Sequence, residues 1–558
     1  MNKLFFGDNL HVLRERIKPE SVDLVYLDPP FNSNANYNVL FREDSGAPTE
    51  AQAEAFRDTW EWGEQAAEAY EDVMRASGDV ALALRGMRAW IGQNAMMAYL
   101  AMMAVRLLEL RDVLKPTGSL YLHCDPNASH YLKIILDALF GPSSFRTEIS
   151  WRRQSAHNDA KQGRKQYGNV RDTILFYTKS DKWKWNTQYT PYDPEYVRDF
   201  YKYREPGTGR AYRLSDLTGP GGAAKGNPFY EVLGIKRHWR FSREKMDLLI
   251  SQGRVVQTKP GTVPAQKRYL DEMPGVALQN DWSDIRAASG KEALGYPTQK
   301  PLSLLERIIQ ASSDPGDVVL DPFCGCGTTV EAAERIGRQW IGIDVTHYAI
   351  TLIEARLKAN HPKVSFSVHG RPVDLASARD LARRDKHQFQ WWAAWRVGAQ
   401  TYREEKRGAD RGIDGNILYK NGPYGDGRII VSVKGGEHVG AQMVRDLRGV
   451  IEREEAEMGI LVSLAEATQP MIREAADAGF VMRSAHGRLP RIQIATIADM
   501  LSGRMPKLPP LPIPERKLTA SVRRKDKDQL ELLLPFDGEK VIPTKGVFVD
   551  PRFVTLTG

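Results

Sequence analysis

The chain has 558 residues, 42% hydrophobic and 27% charged, with 78 basic against 70 acidic side chains for a net charge of +8. That length exceeds one ordinary core and predicts three or four domains, while the balance excludes a disordered or fibrous chain. No apolar run reaches the roughly 18 residues of a membrane span. The opening MNKLFFGDNLHVL lacks the pattern of a secretory leader, and three cysteines (Cys124, Cys324, Cys326) are too few for a disulfide framework, so a reducing, cytoplasmic location is expected. The charge permits a polyanionic partner without requiring one.

Along the chain, Val22–Leu27 is a short apolar run that ends in Asp28-Pro29-Pro30-Phe31, the pattern of a buried parallel strand followed by a rigid loop. Residues 65–114 are Ala-, Met- and Leu-rich with helical spacing, and Lys115-Pro116-Thr117-Gly118 stops them. A strand over 119–123 leads into a helix over 127–140. Strand-like runs at 148–151 and 172–178 then bracket a polar, basic segment. From 180 to 290 this rhythm is lost. At Tyr296 it resumes, with a helix over 302–312, a strand over 318–320, a Gly-rich turn, a helix over 328–336 and a strand over 340–343. A second α/β block spans 385–503. Residues 505–517 are Pro-rich and predict extended linker. The last 40 residues suit either a short hairpin or a docking tail.

The Gly-rich turn is Asp321-Pro322-Phe323-Cys324-Gly325-Cys326-Gly327-Thr328. Gly325 and Gly327 allow a tight turn and close approach to a ligand, where a Cβ would collide. Asp344 ends the next strand, 17 residues beyond Gly327, placed to hydrogen-bond vicinal ribose hydroxyls. The three-glycine pyrophosphate fingerprint is missing, as is Gly-Lys-Ser/Thr for a triphosphate, which argues against NAD and ATP. Cys324 and Cys326 read as small packing residues, because no Cys or His partners stand at zinc spacing. By themselves the glycines are equally compatible with an ordinary tight turn.

The Asp28 loop is the sharper signal. Two prolines fix both the Asp28 carboxylate and the Pro29 carbonyl. An exocyclic amine on a nucleobase is a poor nucleophile, since its lone pair is delocalised into the ring. Two acceptors gripping its N–H bonds would localise that lone pair and hold it in line with an electrophilic methyl group. The Phe31 ring can stack on a base swung out of the duplex. Asp28 faces the Gly-rich turn if the two strands are neighbours in one parallel sheet. The bland alternative is an Asp-Pro turn with a core phenylalanine.

With both loops present, the sequence resembles the amino-methylating DNA methyltransferases that use S-adenosylmethionine, in the β order of that family. The residues carrying the likeness are GDNLHVL (7–13), VDLVYLDPPFN (22–32), YPTQKPLSLLERII (296–309), VVLDPFCGCGTTVEAA (318–333) and WIGID (340–344), within about 1–360. The resemblance implies a doubly wound α/β fold with an inserted target-recognition region. It implies catalytic roles for Asp28, Pro29, Pro30 and Phe31. Asp321, Phe323, Gly325 and Gly327 would wrap the methionine part of the cofactor, with Asp344 on its ribose. Thr298, Lys300 and Pro301 would close over it, and Asp8 and Asn9 would make an adenosine-side contact. Asp at the first catalytic position goes with N6-adenine more often than N4-cytosine, so adenine is favoured.

Between Arg146 and Lys184 ten Lys/Arg stand against four Asp/Glu, interleaved with Trp151, Tyr167, Phe176, Tyr177, Trp183 and Trp185. Basic groups neutralise phosphates and aromatic faces stack on bases, so target recognition over 146–290 is expected, although some of these rings, Phe176 above all, belong to a core. Further on, two strands flank NGPYGDG. A hairpin centred near Tyr424 would bring Asp414 and Lys434 to the same end, with Ser432 on the face of Lys434. An acid beside a lysine there suits Mg²⁺ and a phosphodiester. This block resembles an Mrr-like restriction endonuclease domain of the PD-(D/E)XK fold. It departs from that pattern at Ser432, where an acid or Gln is usual, and at Gln390, where a Glu is common; Glu404 or Glu405 could compensate.

The expected organisation is therefore a catalytic half (1–145), a target-recognition region (146–290), a cofactor half (291–365), a nuclease-type domain (385–503) and a linker with tail (504–558). Double-stranded DNA is the expected partner, with no membrane, and a homodimer is compatible with the sequence. Alternative readings are an N4-cytosine methyltransferase, one chain that both methylates and cuts with Mg²⁺, and a non-enzymatic DNA-binding module. The paired loops argue against the last.

Overall fold

The computed structural model describes residues 2–30, 36–42, 48–57, 62–76, 78–154, 167–290, 292–294, 296, 298–399, 412–481 and 484–510. They fall into two compact units, the described residues of 2–186 with those of 280–510, and 187–279.

The first unit is organised by a nine-stranded sheet. Its strands are β1 (Asn2–Phe6), β2 (Val22–Leu27), β3 (Leu114–Cys124), β4 (Phe145–Arg152), β5 (Arg171–Thr178), β6 (Asp281–Trp282), β7 (Val318–Asp321), β8 (Gln339–Asp344) and β9 (Phe366–His369). They lie in the order β6-β4-β5-β3-β2-β7-β8-β1-β9, and only β5 runs antiparallel to its neighbours. All six residues of β2 are buried, as a parallel strand covered on both faces requires. Buried Asp23 is held by Lys115 (2.7 Å), Lys184 (3.1 Å) and the Val318 N–H (3.0 Å), which pin β2 to β3 and β7.

The helical stretch after the first loop is three helices, Glu64–Ala76, Gly78–Ile91 and Ala95–Val113. The last is buried almost all round, and Asn94 caps it by accepting from the Met97 N–H at 3.0 Å. Its end coincides with the expected stop. However, β3 begins at Leu114, five residues before the predicted strand, and a register shift between Val22 and Leu24 absorbs the extra length. Helices Leu302–Ser312 and Thr328–Arg335 bracket β7. No helix among the described residues is long and apolar enough to cross a membrane.

Part of the segment read as target-recognition region belongs to this sheet: β4, β5 and β6 extend it beyond β3. The second unit holds the arrhythmic stretch. It contains a four-stranded sheet built on the antiparallel pair Ala211–Asp216 and Ala265–Tyr269, and a hairpin of Phe229–Val232 with Ile235–His238. A small core of Leu217, Val232, Trp239, Met246, Leu249 and Val255 supports it.

Towards the C-terminus, Gly415–Lys420, Asp426–Lys434, Met458–Ser463 and Ile492–Thr496 form a four-stranded sheet in sequence order, the first pair antiparallel and the rest parallel. The hairpin register differs from the expectation by two residues. Lys420 pairs Asp426 and Gly415 pairs Val431, so the loop 421–425 is centred on 423 and Asp414 falls beside Ser432, not Lys434. Residues 505–510 carry no regular structure, and the remainder of the linker and tail lies outside the described residues.

Beneath the Gly-rich turn lies an ion pair that local spacing does not reveal. Arg356 donates through Nε to Glu331 (2.8 Å) and through Nη1 to the Cys326 carbonyl (3.0 Å), while Asn360 donates to the other Glu331 oxygen (2.8 Å). Both charged side chains are 5% exposed. Removing one partner of such a pair strands the other charge in a low-dielectric setting. Arg356→Ala is therefore expected to destabilise this unit by about 3–5 kcal/mol, read by chemical denaturation; Arg356→Ala together with Glu331→Gln, which removes the stranded charge, should recover part of the loss.

Candidate active site at the strand ends

Because β2, β7 and β8 are adjacent and parallel, their carboxyl ends open on one edge of the sheet. Asp28, Asp321 and Asp344 all stand there. Asp28 follows β2 with its side chain 17% exposed, and Lys300 donates to its Oδ2. Its Oδ1 is buried and accepts no hydrogen bond among the described residues. Pro29 is buried and Pro30 half-buried; Phe31 lies outside the described residues.

Asp321 and Asp344 line the turn between β7 and its helix. Burial pushes the Asp321 carboxyl up to about 7, against hydrogen bonds from Thr329 and the Phe323 N–H, with nearby Asp28 and Asp344 adding to the rise. Burial likewise pushes Asp344 up to about 6, although it accepts from the Thr346 N–H and hydroxyl (both 2.8 Å) and the Gly325 N–H (2.9 Å). Phe323 is half-buried, with its N–H on Asp321 at 3.0 Å.

Gly325 (φ +48°) and Gly327 (φ +77°) both occupy the left-handed region. The close approach that excludes a side chain differs from the expectation. A Cβ on Gly327 would meet Ile353 Cγ1 at 2.6 Å and one on Gly325 the Tyr296 ring at 3.3 Å, so the crowding comes from the protein itself. Cys124, Cys324 and Cys326 are buried free thiols, and burial raises all three. Among the described residues no group of three or more His, Cys, Asp or Glu is arranged to hold a metal ion.

The segment before helix Leu302–Ser312 reaches this edge through Lys300, which is buried and also donates to the Thr298 carbonyl (3.3 Å). Exposed Thr298 sits at φ +62°, which a β-branched residue adopts only under constraint. Pro301 starts the helix. On the other side, Asp8 caps helix Asn9–Arg16 and accepts from Arg106 (2.9 Å). Asn9 is buried: it donates to the Pro322 carbonyl (2.8 Å) and accepts from Arg106 (2.6 Å), so its amide braces the turn.

Sequence reasoning missed a buried group behind Asp28. His123, at the end of β3, lies between Tyr26 and Asp172, with its Nδ1 4.0 Å from Asp28 Oδ1. The only local trace was a histidine in an otherwise apolar strand.

In the C-terminal sheet, Asp414 accepts from the Val433 N–H (2.7 Å) and, at 3.4 Å, from the Ser432 hydroxyl. Lys434 ends its strand half-buried, and Gln390 lies half-buried on helix Lys386–Arg396. Glu404 and Glu405 lie outside the described residues.

Comparisons with known proteins bear on both regions. Residues 382–484 match a family described as restriction endonuclease, of the PD-(D/E)XK type. The Type II methyltransferase M.EcaI of Enterobacter cloacae is 28% identical over 361 residues, covering 64% of this chain and 69% of that protein. The Mod subunit of the Type III restriction-modification enzyme StyLTI of Salmonella typhimurium is 27% identical over 357 residues, covering 61% of this chain and half of that protein. Among solved structures, the cytosine-N4-specific PvuII DNA methyltransferase aligns at TM-score 0.30 and 15% identity, over 63% of this chain and 86% of that one. Residues 22–355, which take in β2 with its Asp28 loop and the β7–β8 edge, match the N6/N4 DNA methylase family, and the chain belongs to that family.

Proposed function

We propose that the chain is a site-specific DNA methyltransferase of restriction–modification type that moves a methyl group from S-adenosylmethionine to adenine N6. The observation that carries this reading is the Asp28 carboxylate: Lys300 holds one oxygen, and the other is buried with no hydrogen bond among the described residues. Leaving a buried acceptor unsatisfied is costly, and an amine N–H from a substrate base would satisfy it. Asp28 Oδ1 and the Pro29 carbonyl would accept the two N–H bonds of the amine, holding the nitrogen with its lone pair available. Asp28 in the first catalytic position supports adenine over cytosine.

The turn suits the cofactor. Buried Asp321 and half-buried Asp344 are acids raised by their surroundings, and a ligand bearing positive charge and hydroxyl groups would relieve that cost. Asp321, Phe323, Gly325 and Gly327 would hold its methionine part, Asp344 its ribose, and Asp8 its adenosine side. S-adenosylmethionine, when bound, supplies the electrophilic methyl group.

A second reading, methylation and DNA cleavage in one chain, draws on the restriction-endonuclease match. Asp414 would be its metal ligand, but its Oδ2 already accepts from Val433 and Ser432, and the described residues around it do not make a magnesium site. Mg²⁺-dependent cleavage that disappears in Lys434→Ala would support this reading; a chain that leaves DNA intact with Mg²⁺ would remove it.

Two measurements test the main reading. Expression in a methylation-deficient host, with modified bases mapped genome-wide, should yield N6-methyladenine in one sequence context. N4-methylcytosine instead would overturn the adenine assignment. In the same assay Asp28→Ala should lose methylation by at least about 10²-fold while still binding cofactor; undiminished transfer would sink the role of Asp28. Second, the acids at about 7 and about 6 must ionise to hold a cationic ligand, so binding is linked to proton release. Calorimetric affinity for S-adenosylmethionine should rise with pH between about 5.5 and 7.5 and then level off, and Asp321→Asn should flatten the upper part of that rise.

A further inference from the structure

His123 ends β3 beside the Asp28 loop, since Leu27 pairs Leu122 and the next residues along the two strands are Asp28 and His123. It is fully buried, edge-on to the Trp151 ring at 5.6 Å. Both ring nitrogens are engaged: Nε2 lies 3.2 Å from Asp172 Oδ2 and Nδ1 lies 3.0 Å from the Tyr26 hydroxyl. Asp172 is 3% exposed; burial would raise its carboxyl, but the hydrogen bond from His123, with Arg153 and Lys300 nearby, holds it below the usual range. An ionised carboxylate can only accept, so in the neutral imidazole Nε2 carries the ring proton and Nδ1 accepts from the Tyr26 O–H. Nδ1 stands 4.0 Å from the Asp28 oxygen that accepts no hydrogen bond among the described residues. In this tautomer the ring presents a lone pair, already taken by Tyr26, on its Asp28 side. The opposite tautomer would carry an N–H there and compete for that oxygen.

We propose that Asp172, His123 and Tyr26 are positioning residues for methyl transfer, locking the imidazole in the Nε2–H tautomer so that Asp28 Oδ1 stays open for the amine of the target base. This rests on the reading of Asp28 given above. The groups act through Asp28 and need not touch the substrate. Their strands meet only in the folded sheet: Tyr26 comes from β2, His123 from β3 and Asp172 from β5.

The test is Asp172→Asn, whose amide N–H can donate to Nε2 and drive the ring proton to Nδ1. Replacing a carboxylate that orients a histidine by its amide yields the wrong tautomer while keeping the geometry. We expect kcat to fall by about 10²-fold with KM for DNA and cofactor essentially unchanged. Histidine-selective ¹⁵N NMR should show the ring proton moving from Nε2 to Nδ1. Asp172→Glu, which restores the carboxylate, should recover part of kcat. Tyr26→Phe, close to isosteric, removes the donor that favours an unprotonated Nδ1 and so weakens the tautomer preference; it should lower kcat, by less than Asp172→Asn, with the same unchanged KM. An active wild type whose Asp172→Asn and Tyr26→Phe variants keep full kcat overturns this proposal alone. So does a tautomer that moves without any effect on kcat. A wild type that transfers no methyl group to any DNA overturns the function reading first, and this proposal with it.

Discussion

β2 and β7 lie side by side although nearly 300 residues separate them in the chain, with Val319 opposite Leu24 and Leu320 opposite Val25. That parallel pairing is the constraint on which the site depends. Parallel strands release their chains at the same edge, so Asp28 emerges next to Asp321, and β8 beside β7 brings Asp344 to the same place. The result is three carboxylates gathered at one edge, and the cost of gathering them shows in Asp321 and Asp344, which burial pushes up. Lys300 answers part of that cost by pairing with Asp28, and it arrives through a segment in which Thr298 holds a left-handed backbone. The Thr298 carbonyl also accepts from Lys300. Strain at one residue is thus tied to the ion pair that leaves a single Asp28 oxygen without a hydrogen bond among the described residues.

The residues that resemble ligand contacts also brace the structure. Asn9 uses both ends of its amide on Pro322 and Arg106, and Asp344 uses both oxygens on Thr346 and Gly325. Gly327 is needed because Ile353 packs where a side chain would go. A ribose hydroxyl at Asp344 would therefore share the carboxylate with the N–H that shapes the turn. Occupancy of the site and the conformation of the turn would then be coupled through that one group, a physical reason for an acid at the end of β8 rather than an amide: a carboxylate has lone pairs enough for both.

What the sequence made legible was local. Helix Leu302–Ser312 and strand β2 stand where periodicity and the following prolines put them, because their apolar pattern and their stop signals lie within a few residues of each other. The loops at Asp28 and Gly325 were visible for the same reason. Nothing local announces that His123 will meet Asp172, that Arg356 will find Glu331, or that Lys300 will pair with Asp28, since each contact joins distant segments. The runs at 148–151 and 172–178 showed as strands, but their membership of the central sheet was set by pairing with β3 and was read instead as part of a separate region.

The C-terminal hairpin shows how much a two-residue shift of register decides. With its loop centred on 423, Asp414 lies beside Ser432, and the period of two puts Lys434 on the same face one step further along. A second carboxylate at 432 would set two like charges together and call for a cation between them. A hydroxyl at 432 does the opposite. It donates towards Asp414 at 3.4 Å, and the Val433 N–H donates to the same oxygen at 2.7 Å. The acid is then partly satisfied by its own strand, and the electrostatic demand for a metal falls. Serine in that position therefore changes more than the number of ligands: it turns a repulsive pair that needs an ion into a hydrogen-bonded pair that needs one less.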